Sequence, residues 1–189
     1  MWTKRVRPPL IWASVTVVVI IAAFGLFWFQ PWKLFTDTRV DEALPVAERA
    51  PTPTGSASAD ATSRPAATRP GANRIVSAGD FITHEHETTG SAEIVRLADG
   101  RHQLVLRDLD TSNGPDLRVW LTDQPVKSGP AGWRVFDDGS WIEVARLKGN
   151  RGDQVYELPA SVDPADFRSV SIWCKRFSVS FGAADLKTT

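Results

Sequence analysis

Cys174 is the single cysteine of the 189-residue chain, so no internal disulfide can form. A thiol without an intramolecular partner is either a small apolar core residue or a reactive or ligating sulfur. It sits in Trp173-Cys-Lys-Arg-Phe177, beside Lys175 and Arg176. Neighbouring cations can lower a thiol pKa. In a strand, however, the side chain of Lys175 points to the opposite face from Cys174. His84 and His86 form the second candidate group. In Thr83-His-Glu-His-Glu87 strand geometry places both imidazoles on one face and Glu85 and Glu87 on the other. Two imidazoles on one face can ligate copper, zinc or haem iron. A polar solvent face is the commoner meaning of this spacing, and it makes the two histidines weak metal candidates. No Cys-x-x-Cys-His is present, which rules out covalent c-type haem. The residues assign no cofactor, haem or metal.

Other chemistry-bearing residues read more plainly. Asp99, Asp108, Asp110, Asn113, Asp116, Asn150 and Asp153 fall in or near turns. Oxygen-rich loops of this kind can bind calcium, but Asp and Asn are also the ordinary turn formers, which is the reading favoured here. Arg151-Gly-Asp153 is a tripeptide short enough to recur by chance. No Ser/His/Asp triad, phosphate-cradling glycine loop or carboxylate pair is identifiable, so no catalytic residue is assigned and no hydrolase or transferase is indicated.

The elements that must position these residues are β throughout. Short alternating runs separated by Gly, Asn, Asp and Pro predict strands near Gly79–His86, Ala92–Leu97, His102–Leu109, Leu117–Thr122, Trp141–Arg146, Val155–Leu158, Ser169–Lys175 and Ser178–Leu186. Asp99-Gly100 between two such runs signals a hairpin. Only Asp163–Phe167, opened by Asp-Pro, predicts a helical turn. About eight short strands imply a single antiparallel β-sandwich or barrel-like domain, placed at residues 74–189. Val170, Ile172 and Cys174 share one parity, whereas Phe177, Val179 and Phe181 have the other. Keeping both sets inward requires a bulge or tight bend at Lys175–Arg176. Trp173 then lies opposite Cys174, which predicts that both faces of this strand are covered. Residues 74–189 carry 14 Lys/Arg and 17 Asp/Glu, a formal net of −3. That balance argues against nucleic acid, which needs a basic footprint.

Ahead of this domain, residues 10–29 are predominantly apolar and carry no charge. As a helix they would span about 30 Å, the thickness of a bilayer's hydrocarbon core. Trp12, Trp28 and Trp32 lie near the two ends, where amphipathic rings settle among headgroups. Lys4, Arg5 and Arg7 precede the run and Lys33 follows it. The excess of leading charge predicts a cytoplasmic N-terminus (residues 1–9) and an extracytoplasmic domain, in a single-pass plasma-membrane protein. A cleaved signal peptide is the competing reading. Its apolar core is usually shorter and ends at small residues, whereas the run exits through Phe27-Trp-Phe-Gln-Pro-Trp32. Residues 30–73, rich in Pro, Ala, Thr and Ser from Thr36 onward, predict a disordered linker acting as a stalk, because they offer too little apolar surface to offset ordering entropy.

Four motifs carry a resemblance. Glu87-Thr-Thr-Gly-Ser-Ala92, Asn113-Gly-Pro-Asp-Leu-Arg-Val119, Leu147-Lys-Gly-Asn-Arg-Gly-Asp-Gln154 with Tyr156-Glu-Leu-Pro159, and Val170-Ser-Ile-Trp-Cys-Lys-Arg-Phe-Ser-Val179 occur in this order. Together they resemble the DM-thirteen domain over most of residues 77–186. The anchor and linker lie outside the match, and Gln124–Ser140 fits the pattern least well. The resemblance implies a β-sandwich of extracellular proteins that accompanies DOMON-type domains. It also implies a redox or electron-transfer role centred on Cys174, with Trp173, Lys175 and Arg176 adjacent, and an extracytoplasmic redox partner. The competing class is a non-catalytic cell-surface ligand-binding or structural module in which Cys174 is inert core.

Overall fold

The computed structural model describes residues 8–49 and 71–189. Lys4, Arg5, Arg7 and residues 50–70 of the expected linker lie outside the described residues. Helix α1 covers Pro8–Phe29, and the chain leaves it through a 3₁₀ turn at Pro31–Phe35. Among the described residues α1 is the one helix long and apolar enough to cross a membrane. Two short strands follow, β1 (Arg39–Asp41) and β2 (Glu48–Arg49). The eight long strands are β3 (Arg74–Thr83), β4 (Thr88–Arg96), β5 (His102–Thr111), β6 (Leu117–Thr122), β7 (Trp141–Arg146), β8 (Arg151–Glu157), β9 (Ser169–Cys174) and β10 (Val179–Asp185). A two-residue β11 (Lys187–Thr188) ends the chain's pairing against β3.

Every strand read from alternation is present, two of them with unchanged bounds. The predicted helical turn appears as a 3₁₀ turn at Pro164–Asp166, where the Asp163 side chain accepts the Ala165 N–H. The strand path runs β1-β8-β5-β4-β3-β10-β9-β6-β7. The eight long strands pair antiparallel throughout, while β1 and β2 pair parallel to β8 and β3. Strands β7 and β8 lie toward opposite ends of this path, yet only residues 147–150 join them. So short a link brings the two ends together, and the sheet has to curl into a barrel-like shell around one interior.

That interior takes the alternating residues: Ile94, Leu104, Leu106, Val119, Leu121, Val170, Ile172 and Cys174 are fully buried in one cluster. The outer face is covered at two places. Beneath the loop between β6 and β7, Trp120, Phe136, Trp173 and Ala183 pack together. On the far side Ile75, Val95 and Val105 pack with Leu44 and Ala47, which precede the domain in sequence.

This second cover corrects the expected extent of the linker. Residues from Thr36 to Arg49 lie against the sheet rather than forming a core-free stalk. The Thr38 N–H donates to Asn150 Oδ1 at 2.7 Å, and Arg39–Asp41 pair with Arg151–Asp153. Glu42 takes Lys148 Nζ at 2.7 Å and the Val155 N–H at 2.7 Å. Arg49 reaches the buried carboxylate of Glu93, which also holds Arg107. The ties are backbone pairings and polar contacts, which composition does not reveal. Two glycines make room for them. A Cβ on Gly152, whose φ is +92°, would lie 2.1 Å from the Val40 carbonyl oxygen, and one on Gly149 would lie 2.4 Å from that of Thr38.

Two expectations follow. Trp173 is 1 % exposed, so Trp173→Ala should cost about 3–5 kcal/mol, the range for a buried aromatic truncation. Chemical denaturation reads this, and an unchanged midpoint would show the outer cluster to be dispensable. A specific protease site inserted at residues 55–59 should, after cutting, leave the domain bound to the α1 fragment, and adding Gly152→Ala should release it. Immediate release without that substitution would show the 36–49 segment to be unattached. Bonding to Lys148 and then to the Val155 N–H lowers the Glu42 pKa from its ordinary 4.5. Its contribution is therefore full above pH 4.5 and lost as pH falls through the lowered value, so the cut fragment should release faster there.

Candidate functional site

Cys174 is the last residue of β9, paired with Leu117 of β6 and Val179 of β10. The bend required at Lys175–Arg176 is a hairpin turn, Lys175–Ser178, with Ser178 at a φ of +49° and the Phe177 N–H donating to the Cys174 carbonyl at 3.2 Å. A register shift in β10 between Ser180 and Gly182 adds a bulge at Phe181. Together they turn Val179 and Phe181 into the same interior as Cys174.

The thiol is 0 % exposed. Burial pushes its pKa above the ordinary value, opposed by the backbone N–H groups of Phe177 and Arg176. It is therefore a neutral thiol at neutral pH. The flanking cations are engaged elsewhere. Lys175 Nζ lies 3.1 Å from Glu143 Oε2. The Arg176 guanidinium donates to the Trp28 carbonyl and lies 5.2 Å from the centre of the Trp28 ring. Sequence adjacency does not translate into an activated thiolate.

On the other face of β9, Trp173 begins a line of rings. Its indole stacks on Trp120 at 4.9 Å between centroids, and Trp120 stacks on Trp141 at 3.9 Å with planes 5° apart. Trp141 is 40 % exposed, so the stack runs from beside Cys174 to the surface. Phe136 meets Trp173 edge-on at 6.3 Å and stacks on His84 at 5.6 Å. Sequence reasoning missed this assembly. The outward parity of Trp120 was legible, but Trp141 reaches it through a register shift between β6 and β7, and Phe136 comes from the 124–140 loop, which has no periodic pattern.

His84 and His86 do not share a face. Strand β3 ends at Thr83, and the bend at residues 84–86 breaks the alternation on which that expectation rested. His84 turns outward against Phe136, while His86 packs on Phe181 of the interior cluster at 3.9 Å between centroids. His84 Nε2 lies 3.1 Å from the Lys127 carbonyl oxygen, which can only accept, so Nε2 carries the proton. Nδ1 then accepts from Ser180 Oγ at 2.8 Å, and Ser171 Oγ donates to Ser180 Oγ at 2.9 Å. Burial lowers both histidine pKa values, which keeps the rings neutral. Among the described residues no three His, Cys, Asp or Glu side chains gather as a metal-binding group.

The Asp and Asn residues build local structure. Asp99 accepts the Arg101 N–H, Asn113 accepts the Gly114 N–H, and Asn150 bridges Thr38, Asp37 and Thr111. Arg151-Gly-Asp153 lies within β8, paired with β1.

No curated protein and no solved structure matches this chain. A family model described as Electron transfer DM13 matches residues 80–186, from within β3 to the end of β10. The match spans Cys174, the Trp173–Trp120–Trp141 stack and the glycines that receive β1, and it leaves out α1 and the 36–49 segment. It covers more than half of the sequence, and the chain belongs to the DM13 electron-transfer family.

Proposed function

We propose that this chain is a membrane-anchored electron-transfer module whose DM13 domain works outside the cytoplasm, with Cys174 as its redox thiol or ligand. The observation that carries the reading is the continuous indole stack, which leads from Trp173, bonded to Cys174, to the exposed ring of Trp141. A lone thiol has no internal partner for a two-electron disulfide cycle. Its redox cycle therefore needs an outside partner, and Trp141 is where that partner would meet the stack. No catalytic group is needed for this work, and none is assigned.

The anchor reading rests on α1. It has 22 residues and no charged side chain, and at about 1.5 Å per residue it matches a bilayer core. The orientation rests on Lys4, Arg5 and Arg7 ahead of it, and the plasma membrane is the address proposed with it.

A second reading is favoured by one feature: the complete burial of Cys174 in the main apolar cluster. On that reading the domain is a surface binding or structural module and the thiol is packing. Voltammetry of the full chain purified from its native membrane, with metal and haem analysis, separates the two. The electron-transfer reading expects reversible electron release and re-uptake that Cys174→Ser abolishes and Trp120→Phe slows, while unfolding stays cooperative. The packing reading expects no such exchange, and a loss of about 1–3 kcal/mol on Cys174→Ser from burying a hydroxyl. Exchange that survives Cys174→Ser would remove the thiol from the route.

A further inference from the structure

The end of α1 touches the domain at the turn that follows Cys174. Phe29, the last helical residue, stacks on Phe177 with 5.8 Å between centroids. Arg176 donates to the Trp28 carbonyl and covers the Trp28 ring. Arg134 in turn holds the turn's shape, donating from Nη1 to the Phe177 carbonyl at 3.1 Å and to that of Ser178 at 3.2 Å. Beyond α1 the chain presents Trp32, 50 % exposed, and Phe35, 88 % exposed. Among the described residues Lys33, Arg134 and Arg176 make no ion pair, whereas Lys175 is paired with Glu143.

We infer that the Lys175–Ser178 turn and the chain leaving α1 form one surface that rests in the phosphate-bearing headgroup layer of the bilayer. This rests on the reading of α1 as a membrane span. If α1 spans, its last turn lies at the level of the headgroups, and a ring stacked on Phe29 lies there too. The residue types agree with that level. Amphipathic indoles settle at the interface, and arginine keeps its stem on apolar rings while its guanidinium reaches phosphate. Exposed Glu85, whose N–H donates to the Ser180 carbonyl, lies at this same end, so the contact is made to lipid phosphate by the guanidinium groups of Arg134 and Arg176 rather than by net charge. The opposite end, at the β4–β5 hairpin around Asp99, then faces water. Cys174 lies one residue from the surface that meets the lipid.

The test uses the full chain in phosphatidylcholine–phosphatidylserine vesicles. A fluorophore is placed in turn at Ser178→Cys, Asp99→Cys and Val18→Cys, and quenching is read from lipid carrying a nitroxide near its headgroup. The chain without an introduced cysteine shows how much label Cys174 itself takes, and that signal is subtracted. Ser178 should be quenched several-fold more than Asp99, and Arg134→Glu with Arg176→Glu should bring it down toward the Asp99 value. Quenching at Ser178 no greater than at Asp99, with Val18 quenched by lipid carrying its nitroxide deep in the chain, would overturn the surface while leaving the span intact. Val18 unquenched by the deep probe would overturn the span and the surface with it.

Discussion

Strand β9 has water on neither side. All six of its residues are buried, so each must be matched by packing on its own face. Val170, Ile172 and Cys174 close the interior of the curled sheet, while Trp173 is covered from outside. A sheet with two dry faces at one strand needs a second layer there, and the loop between β6 and β7 supplies it through Phe136. Burial on one face gives Cys174 its neutral thiol, and burial on the other fixes the indole stack. Both features of the candidate site are consequences of where one central strand sits.

The outer face needs its second cover at β3, β4 and β5, and the chain makes it from the residues just after α1. The glycines of Leu147-Lys-Gly-Asn-Arg-Gly-Asp-Gln154 show why this works. At Gly149 and Gly152 the backbone of the incoming segment occupies the space a side chain would fill. The positive φ at Gly152 would also strain a larger residue. The family match begins at Asp80, so the segment that fills this groove comes from outside the matched region.

Much of this architecture was legible in the sequence. Alternation located all eight long strands because each has one face in a single apolar interior, and period 2 records that directly. The parity conflict between Cys174 and Phe177 foretold the hairpin turn. What stayed hidden was non-local or non-periodic. The pairing of β1 with β8 depends on absent side chains at two glycines and on single polar contacts, which a composition count reads as linker. The Trp120–Trp141 stack depends on register between strands, and register is set by the partner. The facing of His84 and His86 failed because the strand ended at Thr83, and alternation holds only while the pleat continues.

The segment ending at Arg49 returns the chain to β3. The Glu48 N–H donates to the Asn73 carbonyl at 3.0 Å, and Asn73 Nδ2 donates to the Val46 carbonyl at 3.0 Å. Positions 48 and 73 therefore meet at one point of the domain. The number of residues between them in sequence sets a loop-closure term, and doubling it costs only about 0.6 kcal/mol. It does not set the height of the domain above α1. Insertions and deletions in that stretch are decoupled from the spacing between helix and sheet, which the ten residues from Gln30 to Arg39 control instead.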